Sequence, residues 1–324
     1  MANEKADAKL PKLDALLFID TNIFLDFYRI ESSSVSMDFL NILTNHKDKI
    51  ISSKQVEMEF IKNRQKVLND TLEKFVQGNK GLQPLVLPIL VDKDNTISAH
   101  KKYKKEFDQN IQRIKSELLD IITHPDTKDQ VYQTIISLFS KDLPLFLSKK
   151  SKKWRKIFIK SSERFKLGYP PRKSGDNSIG DSVNWEWIIK CAKKTKKHIV
   201  VVTRDNDFGL VNMGILNDWL QSEFDDRVGN DQTILLTNKL HNALEIIDVS
   251  VTEEMIKEEE TIIKKTPIIG KYLDLSDSYQ KMLESLRYVN SNSEFIKLNN
   301  TLSEVGDLMK RLGAQQNTES VDYD

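Results

Sequence analysis

The chain contains one cysteine, Cys191, among its 324 residues. That excludes an intramolecular disulfide framework and any Cys-rich zinc site. It also lacks an apolar run of the roughly 18 residues that a membrane helix requires, and its N-terminal residues, MANEKADAKLPK, lack a secretory apolar region. An excess of either charge is missing too: 49 Lys plus Arg face 48 Asp plus Glu, a net charge of +1. No internal repeat or low-complexity tract occurs. The 39% hydrophobic content is enough for a core and argues against wholesale disorder. These scarcities describe a cytoplasmic protein with no membrane partner, built as one large domain with insertions or as two.

What is present begins with short apolar runs. Leu16-Leu17-Phe18-Ile19 predicts a buried strand ending at Asp20, followed by a helix over 23–29. Ile50-Ile51 predicts a second strand, and Ser52 with Gln55 fits a capping box opening the next helix. His198 to Thr203 is a continuous β-branched run, and Thr233 to Leu236 is a weaker fourth strand. Strands alternating with helical segments predict an α/β fold whose central parallel sheet is covered on both faces. The stretch 62–167 breaks this rhythm with Lys, Glu, Gln and Leu at helical spacing, which predicts a large helical insertion. Beyond about 250 the pattern is all helical. Phe295, Leu298, Leu302, Val305, Met309 and Leu312 trace a helix-packing seam suited to the chain itself, a second copy or a regulator. The last residues, 314–324, are expected to be a disordered tail.

Four carboxylates fall where a parallel sheet would gather them. Asp20 ends the first strand, Glu59 lies in the helix after the second, Asp181 opens a helix, and Asp205 follows the HIVVVT strand. Gaps of 39, 122 and 24 residues separate them, but ligands of open parallel sheets bind beyond the carboxyl ends of strands, where such residues converge. Several carboxylates in one pocket repel one another unless a cation neutralises them. Oxygen ligands without Cys or His favour Mg²⁺ or Mn²⁺, which bind a scissile phosphate and activate water. Taken singly, each acid has a plainer reading: Asp20-Thr21-Asn22 as an Asx-capped turn, Asp181 as a carboxylate facing the helix dipole, Glu59 as a solvated helix residue. Glu57 competes with Glu59. Asp176 with Asp181 also spells the GDxxxxD of dehalogenase-type phosphatases, but Asn22 stands where that chemistry needs a second Asp, and Thr203 follows the motif instead of preceding it.

The segments FIDTNIFLDFYR at 18–29, SKQVEMEFIKNR at 53–64, IGDSVNWEWII at 179–189 and VVVTRDNDF at 200–208 resemble the four motif regions of PIN-domain nucleases, in the form of the larger bacterial PIN-like group. The resemblance implies a PIN-like nuclease domain over 12–250 with a helical C-terminal region over 251–313. It implies that Asp20, Glu59, Asp181 and Asp205 are the catalytic acids, with Asp20, Asp181 and Asp205 as metal ligands for Mg²⁺ or Mn²⁺. Asn22, Thr203 and Asp207 match supporting positions, and Asp176 lies close by in sequence. The implied reaction is hydrolysis of a phosphodiester by activated water, leaving a 5′-phosphate and a 3′-hydroxyl. A toxin or antiphage defence role, or RNA processing, is the implied setting.

The near-zero net charge is an average over unlike regions. Residues 141–173 hold twelve Lys or Arg against Asp142 and Glu163, a local charge of +10, leading straight into the motif around Asp181. Trp154, Phe158, Phe165 and Tyr169 interleave with the cations. Basic side chains neutralise phosphates and aromatic faces stack unpaired bases. Lys152, Lys153, Arg155, Lys156, Arg164, Arg172 and Lys173 are therefore the expected contacts to RNA or single-stranded nucleic acid. The competing expectation is a PIN-like protein that binds nucleic acid or scaffolds a partner without cutting.

Overall fold

The computed structural model describes residues 11–78, 96–172 and 178–265. From Leu13 onward these belong to one compact unit, Leu13–Gly270. Five parallel strands form its central sheet in the order β3-β2-β1-β4-β7. They are β1 (Ala15–Ile19), β2 (Ile50–Ser53), β3 (Phe146–Leu147), β4 (His198–Val202) and β7 (Ile234–Thr237). A separate two-stranded antiparallel ribbon, β5 (Gly209–Leu210) with β6 (Ile215–Leu216), lies between β4 and β7 in sequence. Every residue of β1 and four of the five in β4 are buried, as expected of strands covered on both faces.

Helices α1 (Thr21–Asp26), α2 (Ser33–Asn45) and α3 (Lys54–Gly78) follow the first two strands. The helical segment then supplies α4 (Thr96–Thr123), α5 (Pro125–Lys128), α6 (Gln130–Ser137) and α7 (Lys152–Leu167). Helices α8 (Gly180–Thr195), α9 (Asp218–Val228), α10 (Leu240–Ile246) and α11 (Glu253–Lys265) complete the described chain. Chain order runs outward from β1 to β2 and β3, then returns to β4 and β7 on the other side. The connection therefore reverses between β1 and β4, which opens a crevice at their carboxyl ends.

The predicted insertion over 62–167 is not a purely helical appendage. Its residues Phe146 and Leu147 pair with Ser52 and Ser53 as an edge strand of the main sheet. An ion-paired core ties the rest of it down: Arg64 on α3 is 2% exposed, bonds Asp129 at 2.7 Å and Tyr28 Oη at 3.1 Å, and donates to the Ile121 carbonyl at 2.7 Å. Asp129 also caps α6 through the Tyr132 amide at 2.8 Å. The expected Ser52–Gln55 capping box does not form. Ser53 Oγ accepts the Val56 amide at 3.2 Å instead, while Ser52 Oγ donates to the Leu138 carbonyl. The cap moves by one residue because β2 runs on through Ser53 and α3 begins only at Lys54.

Helix α11, assigned from sequence to the C-terminal region, packs against α2 and α10. The seam from Phe295 to Leu312 and the tail 314–324 lie outside the described residues. Among those described, no helix is long and apolar enough to cross a membrane.

Candidate active site

Parallel pairing of Ile19 with Val202 sets the carboxyl ends of β1 and β4 side by side. Asp20 follows directly and is 6% exposed. Its Oδ1 accepts the Thr21 amide at 2.7 Å, and its Oδ2 accepts Asn22 Nδ2 at 2.9 Å and Thr203 Oγ1 at 2.6 Å. Asn22 then reaches the far segment: its Nδ2 lies 3.2 Å from Thr203 Oγ1, and its Oδ1 accepts the Arg204 amide at 3.1 Å. The Asp205 amide donates to Thr203 Oγ1 at 3.0 Å. Asp20 and Thr203, both buried, and the half-buried Asn22 thus form one network that fixes the backbone leading into Asp205. Asp20 does cap the turn into α1, though through the Thr21 amide one residue on, and the cap serves the same network.

Of the two candidates for the second acid, Glu59 is the one that bonds beside the end of β1. Glu59 Oε2 accepts Thr21 Oγ1 at 3.3 Å and its Oε1 accepts Gln55 Nε2 at 2.7 Å, so α3 presents it to the end of β1. Glu57 is instead paired with Lys54 at 2.5 Å. Gly180, the first residue of α8, closes over this acid: a Cβ there would come within 2.4 Å of Glu59 Oε1 and 2.8 Å of Gln55 Nε2. The absence of a side chain lets α8 approach α3 and places Asp181, half-buried in the first turn of α8, next to Glu59's neighbour. Negative charge is favoured at that helix end, where Ile179 supplies no side-chain cap.

The electrostatics carry the mark of this crowding. Burial raises the Asp20 pKa to about 6, and the nearby charges of Asp205 and Glu59 push it the same way, against the hydrogen bonds from Thr203 and Thr21. Two of the other expected acids, Asp205 and Glu59, therefore act on Asp20. Among the described residues, however, no group of three His, Cys, Asp or Glu side chains is placed to hold a metal ion. The donor chemistry suits a hard divalent cation, all oxygen and mutually repulsive, but the side chains do not form a closed cage. Asp207 follows in the 3-10 turn Asn206–Phe208, whose Phe208 packs at 6.2 Å from Phe18 and 6.4 Å from Trp185. Asp176 lies outside the described residues.

The PIN domain family matches the sequence over residues 17–208. The chain belongs to the PIN domain family. The match spans β1 to the Phe208 turn and contains all four acids. No curated protein and no solved structure matches the chain. Thr21, Gln55 and Gly180 are the residues of this PIN site that sequence reasoning missed. Their signal was faint: Thr21 sits inside the DTN motif, Gln55 stands one turn before Glu59, and Gly180 directly precedes Asp181.

The basic segment of the PIN domain divides in two. Lys152, Lys153, Arg155 and Lys156 are exposed along α7, and Arg172 is exposed beyond its end. Lys153, Lys156 and Lys160 crowd Lys190 on α8, whose pKa is lowered by desolvation and then by their like charges. Arg164 does not belong with them. It is 4% exposed and its guanidinium is spent on Glu186, Glu223 and the Pro170 carbonyl. Arg227 closes this cluster on Glu186 at 2.6 Å and Glu223 at 2.6 Å, and Trp185 Nε1 donates to Glu223 at 2.9 Å. Its role is to lock α7, α8 and α9 together. Lys173 lies outside the described residues. Cys191 is buried, and burial pushes its thiol up to about 12, so it stays protonated.

Proposed function

We propose that the chain is a metal-dependent nuclease that hydrolyses phosphodiester bonds of RNA or single-stranded nucleic acid. The observation that carries this reading is the convergence of Asp205 and Glu59 on the buried Asp20, at the point where strand order reverses. A cation is what relieves three mutually repelling carboxylates, and oxygen donors select Mg²⁺ or Mn²⁺. Asp20, Asp181 and Asp205 are its expected ligands, with Glu59 completing the acidic set. The ion would supply charge neutralisation at the scissile phosphate and a lowered pKa for water. The chain's own contribution is positional: Thr203 and Asn22 hold Asp20, and Thr21 and Gln55 hold Glu59. The exposed lysines of α7 fit the polyanion that such a centre must retain.

A second reading has its own observation. Because no three acids form a ready metal group among the described residues, a PIN-like protein that binds nucleic acid without cutting it fits as well. A cytoplasmic toxin or defence effector, or an RNA-processing enzyme, is the setting that suits the first reading. Labelled RNA and single-stranded DNA, incubated with Mn²⁺, Mg²⁺ or EDTA, separate the two. Cleavage that needs the metal and disappears in Asp20→Asn and Asp181→Asn is expected. Binding without cleavage in every metal supports the silent protein, and EDTA-resistant cleavage unaffected by both variants refutes the site.

A further inference from the structure

Two large aromatic rings stand in water on the outer helices. Tyr169, just past α7, and Trp219, in the first turn of α9, lie 5.0 Å apart between ring centroids, yet are 38% and 51% exposed. The core does not require either one. Leu220 and Phe224 supply the buried face of α9, and Trp219 points off it, with its amide capped by Asn217 at 3.0 Å. Leaving such area wet costs roughly 25 cal/mol per Å² of apolar surface.

Helix geometry places the pair. Helices α8 and α9 pack together and touch where Trp185 donates to Glu223 at 2.9 Å. Each leads into a parallel strand, β4 and β7, so both begin at the carboxyl edge of the sheet. Asp181 stands four residues before Trp185, and Trp219 four before Glu223. Each therefore sits about 6 Å nearer that edge than the shared hydrogen bond, on neighbouring helices whose axes are typically about 8–10 Å apart. Trp219 is thus the counterpart of Asp181 across the helix pair. Tyr169 is held there because its amide bonds the Arg164 carbonyl at 3.1 Å, and Arg164 is anchored on Glu186 and Glu223. A cation completes the patch. The exposed Arg172 guanidinium lies 4.4 Å from the Phe165 ring centroid and 3.7 Å from where a Cβ on Gly168 would be, next to Tyr169.

We propose that Trp219 and Tyr169 form a stacking site for one unpaired base of the substrate strand, with Arg172 taking a neighbouring phosphate. The proposal rests on the nucleic-acid reading above and adds a selection rule to it. Aromatic faces accept any base whose own face is free, and a base inside a duplex has none to offer. The subsite therefore favours single strands over duplexes without reading sequence. Trp219 lies beyond the 17–208 family match, so the device is carried by this chain's own flanking helix.

The test measures binding in EDTA, where nothing is cut, with a short fluorescein-labelled oligouridylate and the same strand annealed to oligoadenylate. Trp219→Ala should bind the single strand about ten- to a hundredfold more weakly, Tyr169→Ala should weaken it in the same sense, and duplex binding should change little. Trp219→Phe should keep most of the affinity. Thermal melting of each variant near the wild-type midpoint shows that the fold is intact, as expected for exposed positions. Single-strand binding unchanged in Trp219→Ala, an equal loss on the duplex, or no binding by the wild type overturns the subsite. Parallel cleavage assays with Mn²⁺ keep the readings apart. Cleavage with unaltered binding in Trp219→Ala refutes only the subsite, whereas lost binding in that variant with no wild-type cleavage refutes only the nuclease.

Discussion

Asp20 is held in a conflict that sets a pH dependence. Its pKa of about 6 in the folded chain lies above its ordinary value of 3.8, through burial and the charges of Asp205 and Glu59. The folded state therefore binds the proton more tightly, and the resulting stability is complete below pH 3.8 and lost as pH rises through about 6. Asp205→Asn removes one source of the upward push. In EDTA, the variant's melting temperature should gain on the wild type between about pH 4.5 and about pH 7.5. A difference that stays constant over that range would show that Asp205 does not act on Asp20. Arg164 offers a second residue-scale test. Its charge is buried against Glu186 and Glu223, so Arg164→Gln should cost roughly 3–5 kcal/mol of stability by stranding those carboxylates. The exposed Lys156→Gln should leave the melting temperature within about 1–2 °C and weaken only polyanion binding. Equal melting of the two variants would return Arg164 to the binding surface. Counting charges along 141–173 could not make this distinction, because Glu223 lies 59 residues from Arg164 in sequence.

At the scale of elements, the strands that sequence revealed were those whose burial is written in their own composition. β1 and β4 are apolar runs buried almost throughout, and β2 and β7 carry shorter apolar stretches, Ile50-Ile51 and Ile234 to Leu236. β3 is only Phe146–Leu147, and two residues carry no periodicity; long-range pairing with Ser52 and Ser53 makes them a strand. Helix α8 has an apolar face in Val183, Trp187, Ile188 and Cys191, yet Trp185 and Glu186 are buried too. Glu186 is a polar residue made tolerable inside only by Arg164 and Arg227, which no local pattern announces. Asp20 and Asp205 stood out in the sequence as acids at strand ends and Glu59 as an acid of the helix after β2, whereas the hydrogen bonds that aim them were not legible there. Helix α11 has a comparable hidden partner. Its buried Glu259 accepts the Leu240 amide at 2.6 Å and the His241 amide at 3.0 Å, and pairs with Arg204 at 3.2 Å. Burial pushes its carboxyl up, but bonds from His241 and the charge of Arg204 outweigh that and hold it below the usual range. Its contribution is therefore present above the ordinary glutamate pKa and is lost as pH falls. Glu259→Gln should lower stability by about 1–3 kcal/mol near neutral pH and by less in acid. A larger loss in acid would contradict the assignment.

For the whole molecule, near neutrality conceals a segregated charge. The strip formed by Lys153, Lys156, Lys160 and Lys190 lies on α7 and α8, while the acids collect at the sheet edge. Replacing these four lysines by Gln should flatten the dependence of log affinity on log salt by roughly 0.7 for each phosphate contact removed from a single strand. An unchanged slope, measured by titration in EDTA at several salt concentrations, would move the polyanion elsewhere. The direct pairing of β1 with β4 has a consequence for the making of the protein. Asp20 and Thr203 meet across 183 residues, so the ribosome releases the first half of the site long before the second. At roughly 5–20 residues per second, that interval is about 10–40 s. Throughout it the nascent chain displays Asp20 without Thr203 or Asp205, so the acidic centre is completed only once the chain has grown past Asp205.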